Sequence, residues 1–430
     1  MSHFSPVFMR KILSVVVCLL FSVSVFSQDL SYARQVIDTL CSPYMSGRGY
    51  SNNGDRKAAA YIAAEFKRMN ALPFGQDYYQ FFNIDANVFK GNMNLLLNRQ
   101  MLTPGIDYLI HPESAGIIGT YKVVQIKEKW LLDDKNFTKL LENSYEGRVL
   151  YLNYKPKNAK QLQGKLGVLQ SAVKAAAYLT AEDKKLTWHI SGQPKYQTEI
   201  TVLRKKIPRK LKTASFNIDN TYVTGYQTQN VAAFIRGTQY PDSFFVFTAH
   251  YDHLGQMGSH QYIPGANDNA SGVAMLLSLM SHYSQNPPPF SVAFIAFSAE
   301  ELGLIGSKYY TEHPLFPMSG IRFLVNLDLV GTGSEGAMVV NATDFPDAFN
   351  LLQQLNQQQE YLPRIKSRGP AANSDHYWFY KSKVPCFFIY TMGGIQAYHD
   401  VFDRPETLPL DRFSELCKLL IQFAERLDER

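Results

Sequence analysis

Residues 244–253 read Phe-Phe-Val-Phe-Thr-Ala-His-Tyr-Asp-His, an apolar run that gives way to polar side chains. A run of nearly continuous apolar residues is typical of a strand that is covered on both faces, as in a parallel sheet. In such sheets ligands bind beyond the carboxyl ends of the strands. We therefore expect residues 244–249 to form a central strand and His250 to begin a functional site.

The same pattern continues from about residue 214 to the end of the chain. Further strands are predicted over residues 230–236, 291–298, 321–329 and 384–391, and helices over residues 270–283, 302–313, 346–359 and 410–427. Apolar strands that alternate with helices predict an α/β fold. Its central sheet is expected to be mostly parallel, with helices on both faces.

The chain between residues 89 and 213 is less regular. We predict strands over residues 147–154 and 199–203 and an alanine-rich helix over residues 168–180. We interpret residues 89–213 as an inserted smaller domain. Residues 28–88, which contain a helix with one apolar face, would then join residues 214–430 to form the catalytic domain.

Residues 1–27 have the features of a secretory signal peptide, with Arg10 and Lys11 before an apolar stretch and Ser27 before the cleavage point. The apolar stretch is too short for a comfortable membrane span. We therefore expect an exported protein, periplasmic or extracellular, with no stable membrane span. Removal of residues 1–27 lowers the formal net charge from +6 to +4. A charge of +4 is too small to indicate nucleic acid as a partner.

The cysteines remaining after cleavage are Cys41, Cys386 and Cys417. Their odd number and wide spacing exclude a disulfide scaffold and allow one bridge at most. They also form no thiol cluster for a metal. Any metal in this protein must therefore be held by histidines and carboxylates.

Five separate segments each bring a carboxylate or an imidazole to the predicted carboxyl edge of the sheet. These are His250, Asp268, Glu300 with Glu301, Asp328 and His399. So many buried anions are very unfavourable unless cations compensate them. Histidines without cysteine favour zinc or a related divalent ion, and five ligands suggest two ions that share a carboxylate. We expect two Zn²⁺ ions per chain.

The remaining acidic residues have separable roles. His250 and Asp252 are two positions apart on an extended segment, so they point to the same side, and Asp252 can accept the second imidazole N–H of His250. Glu300 and Glu301 are adjacent and must diverge. One of them can bind metal while the other acts as the general base.

The segments that carry these residues have recognisable patterns. They are Ala249-His250-Tyr-Asp252-His253, Gly265-Ala-Asn-Asp268-Asn, Ser298-Ala-Glu300-Glu301, Asn326-Leu-Asp328, Ser374-Asp375-His376 and Tyr398-His399-Asp400. In order and spacing they resemble the co-catalytic zinc aminopeptidase family, whose wider clan includes folate-hydrolysing carboxypeptidases, glutaminyl cyclases and the catalytically inactive transferrin receptor. The resemblance covers residues 214–430 well and Met45–Gly49 more loosely.

This resemblance implies how the ligands divide between two ions. His250 and Asp328 would bind one zinc ion, and Glu301 and His399 the other. Asp268 would bridge the two ions and would be followed by a cis peptide bond.

The resemblance also implies the catalytic residues. Glu300 would be the general base, Asp252 would orient His250, and Tyr398 would polarise the scissile carbonyl group. A zinc-bound hydroxide, generated with Glu300, would attack the first peptide carbonyl, and the oxyanion would be stabilised by both metals and Tyr398.

Several members of the clan carry a protease-associated domain between an N-terminal helix and the strand that ends in His-x-Asp. Residues 89–213 have that location and about that length, and residues 146–152 match its sequence loosely. We therefore expect the insertion to be of the protease-associated type.

The function implied is that of an aminopeptidase whose substrates are peptides with a free N-terminus, since the amino group would lie near the metals and spare carboxylates. Three alternatives stay open. A carboxypeptidase would need cations for the chain end, which Arg364, Lys366 and Arg368 could provide. A glutaminyl cyclase would use a related site with one zinc ion, and a receptor-like binding module would have lost ligands.

Overall fold

The structure, a computed structural model, describes residues 30–427 of the 430-residue chain. The predicted signal peptide, residues 1–27, lies outside the described residues. Among the residues that are described, no helix has both the length and the apolar character needed to cross a membrane.

The described strands form two sheets of eight strands each. In chain order they are β1 (Tyr79–Val88), β2 (Met93–Leu97), β3 (Gln100–Leu102), β4 (Tyr108–Ile110), β5 (Ile117–Lys127), β6 (Tyr145–Asn153), β7 (Ala175–Glu182), β8 (Thr198–Leu203), β9 (Thr213–Ile218), β10 (Thr221–Ile235), β11 (Tyr240–His250), β12 (Phe290–Phe297), β13 (Ile321–Leu327), β14 (Gly336–Val340), β15 (Ile365–Arg368) and β16 (Cys386–Met392).

The α-helices of the described residues alternate with these strands. In chain order they are α1 (residues 30–40), α2 (Gly54–Arg68), α3 (Glu128–Leu132), α4 (Asp134–Glu142), α5 (Ala159–Ala172), α6 (Ser271–Gln285), α7 (Ile305–Glu312), α8 (Pro346–Gln359), α9 (His376–Lys381) and α10 (Phe413–Arg426).

The first sheet has the order β1-β10-β12-β11-β13-β16-β14-β15. Its four central strands, β12, β11, β13 and β16, are parallel. The pairs β1–β10, β10–β12 and β14–β16 at its flanks are antiparallel. The predicted α/β fold with a mostly parallel central sheet is confirmed.

Helices cover both faces of this sheet. On one face the side chains of α1, α2, α6, α8 and α10 pack in a single apolar core, and on the other face α7 and α9 contribute to a smaller core. Because both faces are occupied, every residue of β12 is buried. A cleft for a ligand is therefore expected where the central strands end.

The second sheet has the order β3-β2-β9-β5-β6-β7-β8-β4, and its strands β5, β6, β7 and β8 are parallel. It lies between Met93 and Ile218 and has apolar cores of its own. The division into an insertion over residues 89–213 and a catalytic domain formed by the rest stays a prediction, and the second sheet itself continues to Ile218. The identification of the insertion as a protease-associated domain stays a prediction.

The predicted helix over residues 168–180 is wrong. Helix α5 ends at Ala172, and Ala175–Glu182 is a strand that pairs with β6 and β8. Alanine favours a helix by only about 0.7 kcal/mol per residue or less over most other residues. Burial of Tyr178 and Leu179 between two strands outweighs that preference.

The three cysteines in the described part of the chain, Cys41, Cys386 and Cys417, are buried and form no disulfide bond with one another. Cys386 begins β16, where it packs as a small apolar residue in the core against α7 and α9. The cysteines are thus not part of the cluster of carboxylates and histidines at the strand ends.

Candidate metal centre and active site

The carboxyl ends of the four parallel strands bring the predicted ligands together. β11 ends at His250, β12 leads to Glu300 and Glu301, β13 leads to Asp328, and β16 leads to the loop that carries His399. Asp268 reaches the same place from the turn before α6, and the peptide bond that follows it is cis, as the resemblance implied.

Asp268 stands between two histidines. Its Oδ1 is 3.4 Å from His250 Nε2, and its Oδ2 is 3.0 Å from His399 Nε2. His250 Nε2 is also 3.4 Å from Asp328 Oδ1, and His399 Nε2 is 3.2 Å from Glu301 Oε2. We call His250 with Asp328 the His250 half of the site, and Glu301 with His399 the His399 half.

These separations fit two metal ions. Two donors bound to one zinc ion at about 2.0–2.1 Å in tetrahedral geometry lie about 3.3 Å apart, close to the distances observed in both halves. Asp328 Oδ1 is buried and has no hydrogen-bond donor, which is costly unless a cation faces it. The donors present therefore suit a pair of borderline divalent ions bridged by Asp268.

The two consecutive glutamates diverge, as the sequence required. Glu301 faces His399 and Asp268, whereas Glu300 groups with His250 and Asp328, with donor atoms within 4.8 Å of one another. Burial and the neighbouring carboxylates raise the pKa of Glu300 well above its ordinary value. Burial alone would also raise the pKa of Glu301, but His399 lowers it to about 2. One carboxylate is thus suited to hold a proton and the other to stay ionised.

The acidic environment raises the pKa of both histidines. Burial alone would lower the pKa of His399, but Glu301 and Asp268 raise it to about 11. In the same way Glu300 and Asp328 outweigh burial and raise the pKa of His250 well above its ordinary value. Protons therefore occupy the histidines when cations do not, and a metal ion must displace them.

Asp252 connects two strand ends. Its Oδ1 is 3.6 Å from His250 Nδ1, and its backbone carbonyl oxygen is nearer, at 3.2 Å. The same carboxylate accepts hydrogen bonds from the hydroxyl of Tyr50 (2.8 Å) and from the backbone N–H of Glu300 (3.2 Å). Asp252 therefore positions the backbone of the general-base candidate as well as contacting His250.

A series of buried hydrogen bonds that begins inside the sheet supports Asp328. Thr248 donates to Asn326 Oδ1 (2.7 Å), Asn326 donates to Ser374 Oγ (2.8 Å), and Ser374 donates to Asp328 Oδ2 (2.8 Å). Thr248 and Asn326 face each other on the paired strands β11 and β13. The His250 half is thus fixed by the catalytic sheet itself.

The Asp268 turn is held from two sides. The buried guanidinium of Arg48 donates to the carbonyl oxygens of Gly265 (2.8 Å) and Asp268 (3.3 Å). On the other side Asp403 accepts from the backbone N–H groups of Asn267 (2.8 Å) and Asp268 (3.0 Å). Gly265 has φ +61°, and a Cβ there would collide with the Asp268 carbonyl, so glycine is required.

His253 ends the motif that begins at Ala249, and the sequence alone assigns no role to it. Its Nδ1 lies 2.7 Å from Glu301 Oε1, and the ring is buried. It groups with Asp268 and Glu301 closely enough for the three to hold a metal ion. We interpret His253 as the support of Glu301, because the second oxygen of that carboxylate already faces His399.

A cleft of about 220 Å³ lies above these residues. It is lined by His250, Asp268, Glu300, Asp328, Leu329, Asn373, Phe388, Tyr390, Tyr398 and His399. The ring of Tyr398 stacks on His399 with centroids 4.0 Å apart, and its side chain is 42% exposed. Burial and the surrounding carboxylates raise the pKa of Tyr398, so its phenol keeps its proton.

The cations that kept a carboxypeptidase open lie elsewhere. Lys366 and Arg368 belong to the edge strand β15, and Arg364 precedes it and pairs with Glu335 at 2.7 Å. None of the three lines the cleft.

Part of the chain is similar in sequence to known proteins. Residues 230–424 match the model described as peptidase family M28. Aminopeptidase YwaD of Bacillus subtilis is 31% identical over 197 residues, which cover 44% of this chain and 40% of the relative. A probable zinc metalloprotease of Pyricularia oryzae is 34% identical over 111 residues, which cover 25% of this chain and 22% of the relative. The matched segments thus span less than half of these curated relatives.

Solved structures extend the likeness to the whole fold. BSAP, a zinc aminopeptidase from Bacillus subtilis, aligns with a TM-score of 0.68 over 92% of this chain and 94% of that chain, at 19% identity. A peptidase M28 precursor from Shewanella amazonensis aligns with a TM-score of 0.66 over 92% and 93% of the two chains, at 14% identity.

The fold is thus similar to that of a zinc aminopeptidase, and the site has the ligand types expected of co-catalytic zinc exopeptidases. Within the chain, residues 230–424 carry the similarity to peptidase family M28.

Proposed function

We propose that this chain is an exported, zinc-dependent aminopeptidase that holds two zinc ions and hydrolyses the first peptide bond of its substrates. The observation that carries the proposal is the position of Asp268, each of whose oxygens faces a different histidine. The family match and the zinc aminopeptidases among the similar proteins support the same function.

The ligands proposed for the two ions are those of the two halves, with Asp268 between them. His250 and Asp328 would hold one ion, and Glu301 and His399 the other. When bound, the ions would supply Lewis acidity and lower the pKa of a water molecule.

Glu300 is the proposed general base. It lines the cleft beside the His250 half, and its raised pKa suits a group that takes a proton from the attacking water and delivers it to the leaving amine. Asp252 would hold the backbone of Glu300 in place through its hydrogen bond.

Tyr398 is the proposed donor to the scissile carbonyl oxygen. It lines the cleft and keeps its phenolic proton, so it can donate a hydrogen bond where negative charge develops. Its stacking on His399 would keep the phenol beside the reacting carbonyl group.

The charge of the cleft favours an amino terminus over a carboxyl terminus. Its lining contains the carboxylates of Asp268, Glu300 and Asp328 and no lysine or arginine. An ammonium group is attracted to such a lining, whereas a carboxylate is repelled unless both ions compensate the lining fully.

Export is proposed from the sequence features of residues 1–27. N-terminal sequencing of the protein recovered from the periplasm or the medium should begin at Gln28. Recovery of the intact N-terminus from the cytoplasm alone would contradict export.

The function can be tested with aminoacyl-p-nitroanilides and with matched peptides that carry a free, an N-acetylated or a C-amidated terminus. We expect the zinc-loaded protein to cleave free and C-amidated peptides and to spare N-acetylated ones, and the metal-free protein to be inactive. Glu300→Ala should abolish most of the activity while both ions stay bound, because general-base catalysis contributes about 10²–10⁴-fold.

Three outcomes would overturn parts of this proposal. Full activity of Glu300→Ala would exclude the proposed base. Equal cleavage of N-acetylated peptides would exclude aminopeptidase specificity. Cyclisation of N-terminal glutamine without hydrolysis, at one zinc ion per chain, would identify a glutaminyl cyclase instead.

A further inference from the structure

The loop that carries Tyr398 and His399 contacts the insertion. This loop, residues 396–400, follows β16 and contains no helix or strand. It lies against residues 185–189, which follow β7 of the second sheet. We call residues 185–189 the support segment.

The support segment exchanges backbone hydrogen bonds with a proposed metal ligand. The N–H of Trp188 donates to the carbonyl oxygen of His399 at 2.9 Å. In return His399 Nδ1 lies 2.9 Å from the carbonyl oxygen of Trp188. A carbonyl oxygen can only accept, so Nδ1 carries a proton, and Nε2, which is directed towards Asp268 and Glu301, is the nitrogen that would bind a metal ion.

Lys185 holds the same loop at three points. Its Nζ donates to the carbonyl oxygens of Gln396 and Tyr398, each at 2.8 Å, and forms an ion pair with Asp400 Oδ2 at 2.7 Å. The three contacts use all three donors of an ammonium group. The side chain of Asp400 is only 4% exposed, so this ion pair is shielded on the side of the loop.

The support segment is itself anchored in the insertion. The side chain of Trp188 is buried, and its Nε1 donates to the carbonyl oxygen of Ile110, on β4, at 2.8 Å. Leu186 is buried in the apolar core of the second sheet together with Trp188. A segment fixed in this way can hold the loop in one position.

We infer that the insertion is a structural part of the active site, and that Lys185 and Trp188 are positioning residues for His399 and Tyr398. The inference rests on the proposed function in one respect, that His399 is a metal ligand. It goes further by assigning the support of His399, within the His399 half, to the second sheet. The insertion is then no independent module that could be removed without cost to the site.

The test compares two neighbouring lysines by zinc affinity, measured with competing chelators and without substrate. Lys185→Met should lower the affinity for one of the two zinc ions about tenfold or more and leave the affinity for the other unchanged. Loss of an outer support typically costs 10–100-fold in metal affinity. The matched control is Lys184→Met, at an exposed residue just before the support segment, which should bind both ions as the unchanged protein does.

A conservative variant separates positioning from a general loss of folding. Lys185→Arg retains the charge opposite Asp400 and should recover most of the lost affinity. The melting temperature of each metal-free variant is measured in parallel. Equal affinity for both ions in Lys185→Met and in the unchanged protein would overturn the inference, and so would equal weakening of both ions.

Peptide hydrolysis is measured separately with the same proteins. If the unchanged protein does not cleave peptides but Lys185→Met loses affinity for one ion, the inference stands and the proposed function fails. If the unchanged protein cleaves peptides and Lys185→Met matches it in both affinity and rate, the inference fails and the proposed function stands.

Discussion

The two halves of the metal centre are supported by different parts of the molecule. In the His250 half, Asp328 is held by hydrogen bonds that start from Thr248 and Asn326 on the paired central strands. In the His399 half, His399 lies on a loop, and its imidazole and backbone are held by Trp188 of the insertion. Among the five proposed ligands, Asp268 faces both halves.

This difference distinguishes ligands that the sheet itself holds in place from ligands that need contacts outside the sheet. Strand ends fix the backbone of a ligand tightly because both neighbouring strands hold it. A ligand on a loop needs outside contacts for the same precision, and a displacement of about 1 Å in a site of this kind can cost about 10²-fold in rate. The His399 half should therefore respond to changes in the second sheet, and the His250 half should not.

The largest effect is expected where the halves meet. Asp268→Ala removes the carboxylate whose two oxygens face His250 and His399, so the affinity for both zinc ions should fall. Activity should fall by more than about 100-fold, which exceeds the cost of losing an outer support. Asp328→Ala is the control, since it should weaken only the ion of the His250 half. Zinc titration of both variants is the measurement. Retention of one tightly bound ion in Asp268→Ala would contradict the bridging role.

Arg48→Met should destabilise the turn that the halves share. It removes the guanidinium that donates to the buried carbonyl oxygens of Pro264 and Tyr251, and each such loss costs about 1–3 kcal/mol. We expect the free energy of unfolding of the metal-free protein to fall by about 3 kcal/mol or more. Urea denaturation measures this, with exposed Arg68→Met as the control; equal stability of the two variants would show that Arg48 is not needed.

Ser374→Ala is the counterpart of Lys185→Met in the other half. It removes the hydroxyl that donates to Asp328, so zinc affinity in the His250 half should fall about 10–100-fold. Zinc affinity in the His399 half should be unchanged. Thr248→Val, one step further from Asp328, should have a smaller effect in the same half. Chelator competition distinguishes the two ions, and a loss confined to the His399 half would contradict the comparison.

A weaker, graded effect is expected from pH, with the same sign in both halves. The pKa of His399 in the metal-free protein is raised to about 11, above the ordinary 6.5, so zinc must displace a proton and its affinity should rise about tenfold per pH unit between pH 6 and 8. The ion pairs of protonated His399 stabilise the metal-free fold fully below pH 6.5, and this contribution is lost as the pH rises towards 11. Titration calorimetry in two buffers of different ionisation enthalpy measures the released protons. Zinc binding without proton release at pH 7 would contradict this description.

The two kinds of support also differ in how far the sequence could predict them. The site residues of the strand ends follow from apolar runs that stop at His250, Glu300 and Asp328, because a strand covered on both faces has one place for polar groups. The contact of Trp188 with His399 uses backbone groups of Trp188, more than two hundred residues away, and backbone groups leave no pattern in the sequence.

Two side chains show why other parts were missed. Arg48 lies in a motif that the resemblance matched only loosely, and its partners are backbone carbonyl oxygens on distant segments. Lys185 belongs to a solvent-exposed polar stretch that is indistinguishable from an ordinary loop until the fold brings Asp400 to it. The misassigned helix over residues 168–180 has the same origin, since only pairing with β6 and β8 makes its second part a strand.

The most direct test of the metal centre is a crystal structure of the zinc-loaded protein with anomalous data collected at the zinc edge. Two peaks are expected about 3.5–4 Å apart, one beside His250 and Asp328 and one beside Glu301 and His399, with Asp268 between them. A single peak, or a second ion bound by His253 in place of His399, would contradict the proposed centre.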